Sequence, residues 1–248
     1  MKISIITVVY NSVDTIAQAI DSVLSQTYEN VEYIIVDGVS TDGTIDIINS
    51  YESRISKFIS ETDHGLYDAM NKGVQMATGN VIGFLNSDDF FIDSNIIESI
   101  MSKFLKDNSL DVLYGNIQYV DRDNSSKVVR QWKSKPYYSN YFENGNVPAH
   151  PALYIRREIF FKVGDFNTLF KFSADYDFML RLFKLHQFNC YYLDKYIVRM
   201  RLGGITSGGI KNRILQNIEI YRSWRLNKLK PPILLFPFRF VNKVKQYF

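Results

Sequence analysis

Hydrophobic and polar positions alternate in two patterns along the first hundred residues. Continuous runs of apolar, mostly β-branched residues are typical of buried strands, and they predict strands at residues 3–9, 31–37, 56–61 and 80–85. Between and after these runs, apolar residues recur at helical spacing. That spacing predicts helices over residues 12–26, 44–51, 66–77 and 95–105, the last with Ser94 or Asp93 as its N-cap. Strands without polar alternation, each followed by a helix, indicate an α/β fold with a mainly parallel sheet covered by helices on both faces.

Beyond residue 110 the pattern changes. Longer strands are predicted at 111–120 and 126–132, followed by a loop at 136–150, an apolar strand after it, and helices at 157–164, 173–187 and 212–228. A Pro-Pro break and an aromatic tail follow the last helix. We therefore expect a domain at residues 1–210, made of halves 1–110 and 111–210, and a short helical, basic and aromatic C-terminal extension at 211–248.

Composition and charge narrow the class of protein. Hydrophobic residues make up 46% of the chain and charged residues 22%, as in ordinary globular proteins. The net charge of +3 is too small to indicate nucleic-acid binding. The single cysteine, Cys190, excludes an internal disulfide and a cysteine zinc cluster and suits a reducing cytoplasm. No apolar run reaches the roughly 18–20 residues that span a bilayer, so we expect a cytoplasmic protein that is not integral to a membrane.

Polar side chains collect where the predicted strands end. The ends of the four strands in the first half carry these residues in order: Thr7, Tyr10 and Asn11; Asp37; Asp63 and Gly65; and Asn86, Ser87, Asp88 and Asp89. In open parallel sheets, ligands bind outside the carboxyl ends of the strands. A lone aspartate after a strand is ordinarily a helix cap or a turn residue. Acidic residues at three of the four ends predict an acidic edge that faces a shared cleft.

Four segments resemble the family 2 glycosyltransferases in order and spacing. They are "SIITVVYN", "YIIVDGVSTDGT", "SETDHGLYDAMNKGVQMATGNVIGFLNSDDFF" and "SADYDFMLRL". The resemblance is dense over residues 3–90 and resumes over about 148–181. It implies the GT-A fold and an inverting transfer of a sugar from a nucleotide-diphosphate donor. Residues 1–110 are then expected to bind the nucleotide sugar, and residues 111–210 to form the acceptor half.

The resemblance implies a donor-binding role for the first strand ends. Asp37 is expected to accept a charge-assisted hydrogen bond from the nucleobase, and its alternative role is to shape the turn that follows it. Tyr10 and Asn11 are expected to line the nucleoside pocket. Thr7 is placed there as well, although packing inside the first strand explains it equally well.

"FLNSDDFF" resembles the DXD motif, which holds a divalent metal against the donor diphosphate. By position, Asp88 is the expected metal ligand and Asp89 an accessory one, with Mn²⁺ or Mg²⁺ as the cofactor. A cation there neutralises the charge that builds on the leaving nucleotide. Asn86 stands where many members have an aspartate, so we expect it, with Ser87, to contact the donor rather than the metal.

"DHGLYDAMNKG" occupies the place of another donor-contacting segment of the family. The expected donor contacts are Asp63, Gly65, Asp68, Asn71 and Lys72. Met70 replaces the arginine that relatives have here, and Lys72 can partly substitute for it. Helix capping is the alternative role for these polar residues.

"SADYDFMLRL" resembles the helix start that supplies the general base. Asp175 retains the base position, whereas Ala174 replaces a glutamate that relatives carry. An inverting transfer needs such a carboxylate to take the proton of the attacking hydroxyl. The alternative for an acid in a first helical turn is stabilisation of the helix dipole, and we expect Asp177 to have that role.

Two more segments fall near the expected site. His150 precedes the strand that forms the acceptor side in relatives, where a buried structural histidine is the alternative. A glycine-rich basic loop at 199–209 stands where relatives close over the diphosphate. Arg201 and Ser207 are the expected phosphate contacts there, and loop flexibility is the alternative.

The tail "KLKPPILLFPFRFVNKVKQYF" is basic and aromatic, so it can pack on the domain or lie peripherally on the inner membrane. The sequence thus predicts a metal-dependent inverting glycosyltransferase, with a UDP-sugar as the first choice of donor and a glycan or lipid-linked acceptor. A sugar nucleotidyltransferase would need a glycine-rich basic loop after the first strand, and a dehydrogenase a Gly-x-Gly-x-x-Gly there. A non-catalytic nucleotide-sugar-binding module remains open because of Asn86, Met70 and Ala174.

Overall fold

The computed structural model describes residues 1–203 and 209–247, and four parallel strands form the first half of it. They are β1 (Ile3–Val9), β2 (Val31–Asp37), β3 (Lys57–Ser60) and β4 (Val81–Phe84). The helices between and after them are α1 (Ile16–Leu24), α2 (Thr44–Ser50), α3 (Leu66–Met76) and α4 (Ile96–Lys106). β1 pairs in parallel with β2 and with β4, and β2 pairs in parallel with β3. The carboxyl ends of these strands therefore meet at one edge of the sheet.

The second half adds strands of both directions to the same sheet. Its elements are β5 (Phe90–Phe91), β6 (Val112–Val120), β7 (Val128–Trp132), β8 (Leu153–Arg156), α5 (Arg157–Val163), α6 (Ala174–Leu180) and β9 (Cys190–Arg201). The strand order is β3-β2-β1-β4-β8-β6-β9-β5, and β7 pairs with β6. β6 and β9 are parallel, whereas β8 is antiparallel to both β4 and β6. The expected α/β fold is confirmed, with a mixed sheet beyond β4.

Two hydrophobic cores lie on opposite faces of the sheet. Alternate side chains of β1 point to opposite faces, as the pleat requires. Ile3 and Ile5 enter the core that contains α1 and α4, and Ile6 and Val8 enter the core that contains α3, α5 and α6. Because both faces of β1 are fully covered, the strand reads as a continuous apolar run.

Several predicted boundaries differ from the observed ones. The helix predicted from residue 12 begins at Ile16. The N-cap of α4 is Asn95 rather than Ser94 or Asp93, and Asp93 instead accepts the N–H of Asn95 at 2.8 Å. The helix predicted over 173–187 is α-helical only to Leu180 and continues as a π-helical segment to residue 185. The long strand β9 was not predicted, because its charged residues interrupt any simple alternation.

The C-terminal extension folds against the domain as α7 (Gly209–Leu226), α8 (Leu235–Val244) and a short 3₁₀ turn. α7 packs on α6, where the indole of the buried Trp224 donates to the hydroxyl of Tyr176 at 2.9 Å. On α8, the amide of Asn242 donates to the carbonyl of Asn144 at 2.9 Å. Within the described residues, no helix combines the length and the hydrophobicity that crossing a membrane requires.

Candidate active site

The ends of the first three strands meet around Gly38, which follows β2. A Cβ at this position would lie 2.6 Å from Asp63 Oδ2 and 3.4 Å from Tyr10 Cδ2, so a side chain there would have to displace the Asp63 carboxylate. Tyr10 follows β1, and Asp63 follows β3. The ring of Tyr10 is 64% exposed and forms an outer wall of this contact. Two predicted donor residues from different strands thus lie side by side.

Asp37 is fully buried and anchors the loop that begins at Gly38. Its carboxylate accepts hydrogen bonds from the N–H and the hydroxyl of Ser40, at 3.0 and 2.5 Å, and from the hydroxyl of Ser60 at 2.7 Å. These contacts give Asp37 the turn-shaping role expected as its alternative. A nucleobase contact by Asp37 stays a prediction.

The backbone on either side of this loop has unusual torsion angles. Asn11 has φ +48° and Val39 has φ +63°. Asparagine tolerates the left-handed region, and here Asn11 Oδ1 also accepts the N–H of Thr41 at 2.9 Å. A β-branched residue in that region is strained by about 1–3 kcal/mol, so Val39 is held by its surroundings. Such strain is common at ligand-binding loops.

Thr7 is packed in the core rather than exposed at the sheet edge. It is fully buried, and its hydroxyl shares a 3.1 Å hydrogen bond with that of Tyr33 on β2. The structure therefore gives Thr7 the packing role that the sequence left open, and we do not count it among the donor contacts.

The polar residues around the start of α3 bind mainly one another. Asp63 accepts the N–H of Gly65 at 2.8 Å, and Asp68 accepts the N–H of His64 at 3.0 Å. Gly65 has φ +112°, which favours glycine. Lys72 pairs with Glu61 at 2.9 Å, a hydrogen bond that raises the pKa of the lysine. The contact of Asp68 fits the helix-capping role that was its alternative. Asp63, in contrast, also lies beside Gly38 at the strand ends.

Asn71 points toward the acceptor half instead of the donor edge. Its amide nitrogen donates to the carbonyl of Phe166, and its oxygen accepts the N–H of Phe166, both at 2.9 Å. Both ends of the amide thus bind the segment before α6 and connect it to α3. This geometry gives Asn71 a structural role, and its expected donor contact stays a prediction.

The segment after β4 brings two carboxylates together. Asn86 donates to Asp89 Oδ2 at 2.8 Å, and the hydroxyls of Ser87 and Ser12 share a 3.0 Å hydrogen bond. Burial raises the pKa of Asp88. Asp89 is fully buried, and burial, reinforced by the charge of Asp88, raises its pKa well above the usual range. The two side chains repel each other as carboxylates, and the nearby charge of Arg201 opposes the rise in both pKa values without cancelling it.

These residues fit a divalent metal ion. Asp89 Oδ1 is buried and has no hydrogen-bond partner, which is costly for a carboxylate oxygen without a cation or a proton. Mg²⁺ sites at phosphates usually draw on one or two carboxylates, together with phosphate oxygens and water. Within residues 1–203 and 209–247 no group of three or more His, Cys, Asp or Glu is arranged to hold a metal. Asp88 and Asp89 are thus the candidates, with Asn86 holding Asp89 in place.

Two arginines approach this segment from the second half. The buried Arg201, at the end of β9, donates to the carbonyl of Asp88 at 2.5 Å and also to the side chain of Gln18. Its guanidinium is thereby used in holding the segment after β4. The charges of Arg201 and of the exposed Arg122 oppose the rise that burial causes in the pKa of Asp88, so Arg122 lies near this carboxylate, and sequence reasoning missed it. Ser207, the other predicted phosphate contact, lies outside the described residues.

Asp175 lies at the first turn of α6 and is partly exposed. The hydroxyl of Tyr67, on α3, donates to Asp175 Oδ1 at 3.1 Å. Burial raises the pKa of Tyr67 well above its usual range, and the charge of Asp175 raises it further, so the phenol stays a donor. Tyr67 was not predicted, because nothing in its own segment indicates a partner 108 positions away.

His150 is buried next to the end of β4. Its ring centroid lies 5.4 Å from that of Phe84 and 5.6 Å from that of Phe166. Burial lowers the pKa of His150, and the nearby charge of Asp175 opposes that shift. His150 thus has the buried position expected as its alternative, but it also lies close to the candidate base.

Two acidic residues hold α6 in position. Asp177 is buried and accepts hydrogen bonds from Arg181, Ser223 and Asn227 at 2.8–3.0 Å, so its role is structural, as expected. Glu219, on α7, accepts the N–H groups of Lys171 and Phe172 at 2.9 and 2.8 Å, just before α6 begins. Sequence reasoning missed Glu219, because nothing in the sequence of the C-terminal extension indicates a contact with α6.

The sheet and helices of this chain are similar to those of solved GT-A glycosyltransferases. The mannosyltransferase PcManGT from Pyrobaculum calidifontis, solved with GDP-Man and Mn²⁺, has a TM-score of 0.68 over 99% of this chain and 69% of that one, at 16% identity. TarS 1–349 from S. aureus, solved with UDP-GlcNAc, has a TM-score of 0.67 over 91% of this chain and 65% of that one, at 18% identity. These likenesses confirm the fold.

The chain belongs to glycosyl transferase family 2, whose family model matches residues 4–172. A "PGL/p-HBAD biosynthesis glycosyltransferase" of Mycobacterium tuberculosis is 30% identical over 183 residues, which cover 73% of this chain and 69% of that protein. An uncharacterised glycosyltransferase of Haemophilus influenzae is 37% identical over 139 residues, which cover 54% and 55% of the two chains. The predicted family is thereby confirmed.

Proposed function

We propose that this protein is a metal-dependent inverting glycosyltransferase that moves a sugar from a nucleotide diphosphate, with UDP as the first choice, to a hydroxyl of a glycan or lipid-linked acceptor. Assembly of a bacterial surface polysaccharide, such as O-antigen, capsule or exopolysaccharide, is the setting that the family resemblance favours. Residues 1–110 bind the donor, residues 111–210 form the acceptor side, and residues 211–248 contact the cytoplasmic face of the inner membrane.

One observation supports this proposal above all: two separate acidic centres lie close to the end of β4. Asp88 and Asp89 lie in the short segment between β4 and β5, and Asp89 has a buried oxygen without a partner. Asp175 lies near His150, whose ring packs on Phe84, the last residue of β4. A carboxylate pair for a cation and a separate carboxylate for a proton are the two acidic functions that an inverting transfer needs.

The donor half supplies the binding steps. Tyr10 offers its exposed ring to the nucleobase, and the rigid loop around Asp37 and Asn11 fixes the edge of the pocket. Asp63 closes the same pocket beside Gly38. A divalent metal held by Asp88 and Asp89 would neutralise the charge that develops on the leaving diphosphate. Asn86 and Arg201 keep the carboxylate pair in place through their contacts with Asp89 and with the Asp88 carbonyl.

Asp175 acts on the acceptor. Tyr67 occupies Oδ1, which leaves Oδ2 to accept the proton of the attacking hydroxyl. Because the attack comes from the face opposite the leaving diphosphate, the configuration at the anomeric carbon inverts. His150, neutral because burial lowers its pKa, supports the acceptor side without adding a charge next to the base.

Calorimetric titration tests the donor site, with UDP, GDP and dTDP each added in the presence of Mn²⁺ or of EDTA. We expect metal-dependent binding of one nucleotide, with UDP favoured, and loss of that metal dependence in Asp88→Ala. Folded wild-type protein that binds none of the three nucleotides would refute the donor site.

Asp175→Asn tests the base. We expect the variant to bind the nucleotide as the wild type does and to transfer sugar ~10²–10⁴-fold more slowly, the usual contribution of a general base. Nucleotide release in the presence of acceptor measures this rate. Transfer at the wild-type rate would show that Asp175 is not the base, and binding without turnover in the wild type would favour a non-catalytic module.

A further inference from the structure

Positive charge is concentrated at the C-terminus of the chain. Residues 211–248 contain nine Lys or Arg and one Glu, whereas the whole chain carries only +3. Residues 1–210 therefore carry a net charge of −5. The helices α7 and α8 thus present a strongly basic segment on an otherwise acidic domain.

Arg130, on β7, is buried without an acidic partner. Its guanidinium carbon lies 3.5 Å from the ring centroid of Tyr119, its cross-strand neighbour, and 5.6 Å from that of Tyr247. Its side-chain Nε is buried and has no hydrogen-bond partner. Buried arginines are rare unless they are paired, so this side chain lacks an anion.

Lys243, on α8, lies near three arginines, one of which is Arg130. These four residues form a basic cluster: Arg130, Arg213, Arg239 and Lys243. The guanidinium of Arg239 stacks on Tyr176, 5.0 Å from its ring centroid. Partial burial lowers the pKa of Lys243, and the charges of the three arginines lower it further. No ion pair in the described part of the chain involves any member of the cluster. Four mutually repelling cations fit a ligand with several negative charges.

Two aromatic rings that contact the basic cluster connect it to the proposed site. Burial raises the pKa of Tyr119, which stacks against Arg130, and the nearby charge of Asp89 raises it further. Tyr176, which contacts Arg239, is the neighbour of Asp175 in α6. The basic cluster therefore adjoins residues of the proposed site.

Exposed apolar side chains flank the cluster. On α7, Ile214, Ile218 and Tyr221 are exposed and fall on one face, opposite the face that binds α6. On α8, Phe240 and Val244 are exposed as well. An amphipathic surface with apolar residues between Lys and Arg is typical of a protein that lies in a membrane interface.

We propose that the basic cluster binds the phosphate group of a membrane lipid, while the apolar faces of α7 and α8 enter the bilayer interface around it. The biological role of this binding rests on the proposed function, because the lipid phosphate would carry the saccharide that accepts the transferred sugar. The binding itself can be tested without any transfer.

The test is flotation of the full chain with vesicles of phosphatidylcholine containing phosphatidylglycerol, and with vesicles of phosphatidylcholine alone. The double variant Arg213→Gln/Lys243→Gln removes two charges from the cluster. Its matched control, Lys228→Gln/Lys230→Gln, removes two exposed charges from the same segment outside it. We expect the cluster variant to bind the anionic vesicles at least about tenfold more weakly and the control to lose about threefold or less. Inorganic diphosphate is expected to compete with the vesicles for the wild type.

Equal losses in both double variants would show diffuse surface attraction and overturn the inference. The inference would also be overturned if the wild-type protein did not bind the anionic vesicles, or if it bound inorganic diphosphate but no vesicle. UDP titration with Mn²⁺ separates this result from the proposed function, because both variants are expected to keep wild-type UDP affinity. Loss of UDP binding in the cluster variant alone would place the cluster in the donor site and overturn the lipid assignment.

Discussion

Individual side chains of the candidate site are held by partners that are distant in sequence. Tyr67 reaches Asp175 across 108 positions, and Asn71 reaches Phe166 across 95. Both contacts join α3 of the first half to the second half. They add to the hydrophobic core that α3, α5 and α6 share in setting the relative position of the proposed base and the strand ends.

Tyr67→Phe removes the hydroxyl that fixes Asp175 Oδ1 and keeps the ring. We expect a fall in kcat of about tenfold, since the base is still present but less well oriented, and a stability loss of ~0.5–1.5 kcal/mol. Tyr137→Phe is the control, because Tyr137 donates to the carbonyl of Phe183 away from the site. Equal kcat values for the two variants would argue against a positioning role for Tyr67.

His150 gives a prediction about stability and pH. Burial lowers its pKa in the folded protein, so below the unfolded value of ~6.5 the unfolded chain binds the extra proton more readily. The stability that neutral His150 provides is therefore lost as pH falls through the range below about 6.5. We expect His150→Phe to lose less unfolding free energy than the wild type between pH 7 and pH 5 in urea titrations. An identical pH slope for both proteins would contradict this.

Among the helices and strands, the first half could be predicted well and the second half only partly. β1 to β4 and α1 to α4 appear within a few residues of their predicted positions, because local apolar periodicity decides them. β9 could not be predicted, since its strand conformation depends on pairing with β6. Likewise, no local signal ends α6 at Leu180.

Packing between α3 and β1 gives a prediction for Gly73. In an exposed helix, replacing glycine by alanine stabilises by roughly 0.5–1 kcal/mol. Here a Cβ would overlap Ile6 Cγ2, so we expect Gly73→Ala to destabilise by about 1–3 kcal/mol. Chemical denaturation measures the change, with Gln75→Ala on the exposed face of α3 as the control. A stabilised Gly73→Ala protein would mean that the two elements separate easily.

Across the protein as a whole, the C-terminal extension is joined to the second half of the domain through α6. Asp177 binds Ser223 and Asn227 of α7 as well as Arg181, and Glu219 of α7 binds the backbone before α6. The helices α6 and α7 thus form one connected unit.

Asp177→Ala tests this connection. Removing one member of a buried ion pair leaves Arg181 without its partner, so we expect a loss of about 3–5 kcal/mol in unfolding free energy. Lys133→Ala, which breaks the exposed pair with Asp194, should cost at most about 1 kcal/mol. Urea titrations compare the two, and similar small losses would show that α6 and α7 are held chiefly by apolar contacts.

The amino-acid sequence was sufficient for the α/β class, the order of β1 to β4 and α1 to α4 and the acidic strand ends, because periodicity and turn chemistry act over a few residues. It also indicated the family, and with it Asp88 and Asp175 as candidates. The roles of Thr7 and Asn71, the contacts of Tyr67 and Glu219, and the basic cluster around Arg130 emerged only from the folded chain. Their partners lie far apart in sequence, and which of them meet depends on how the sheet and helices pack.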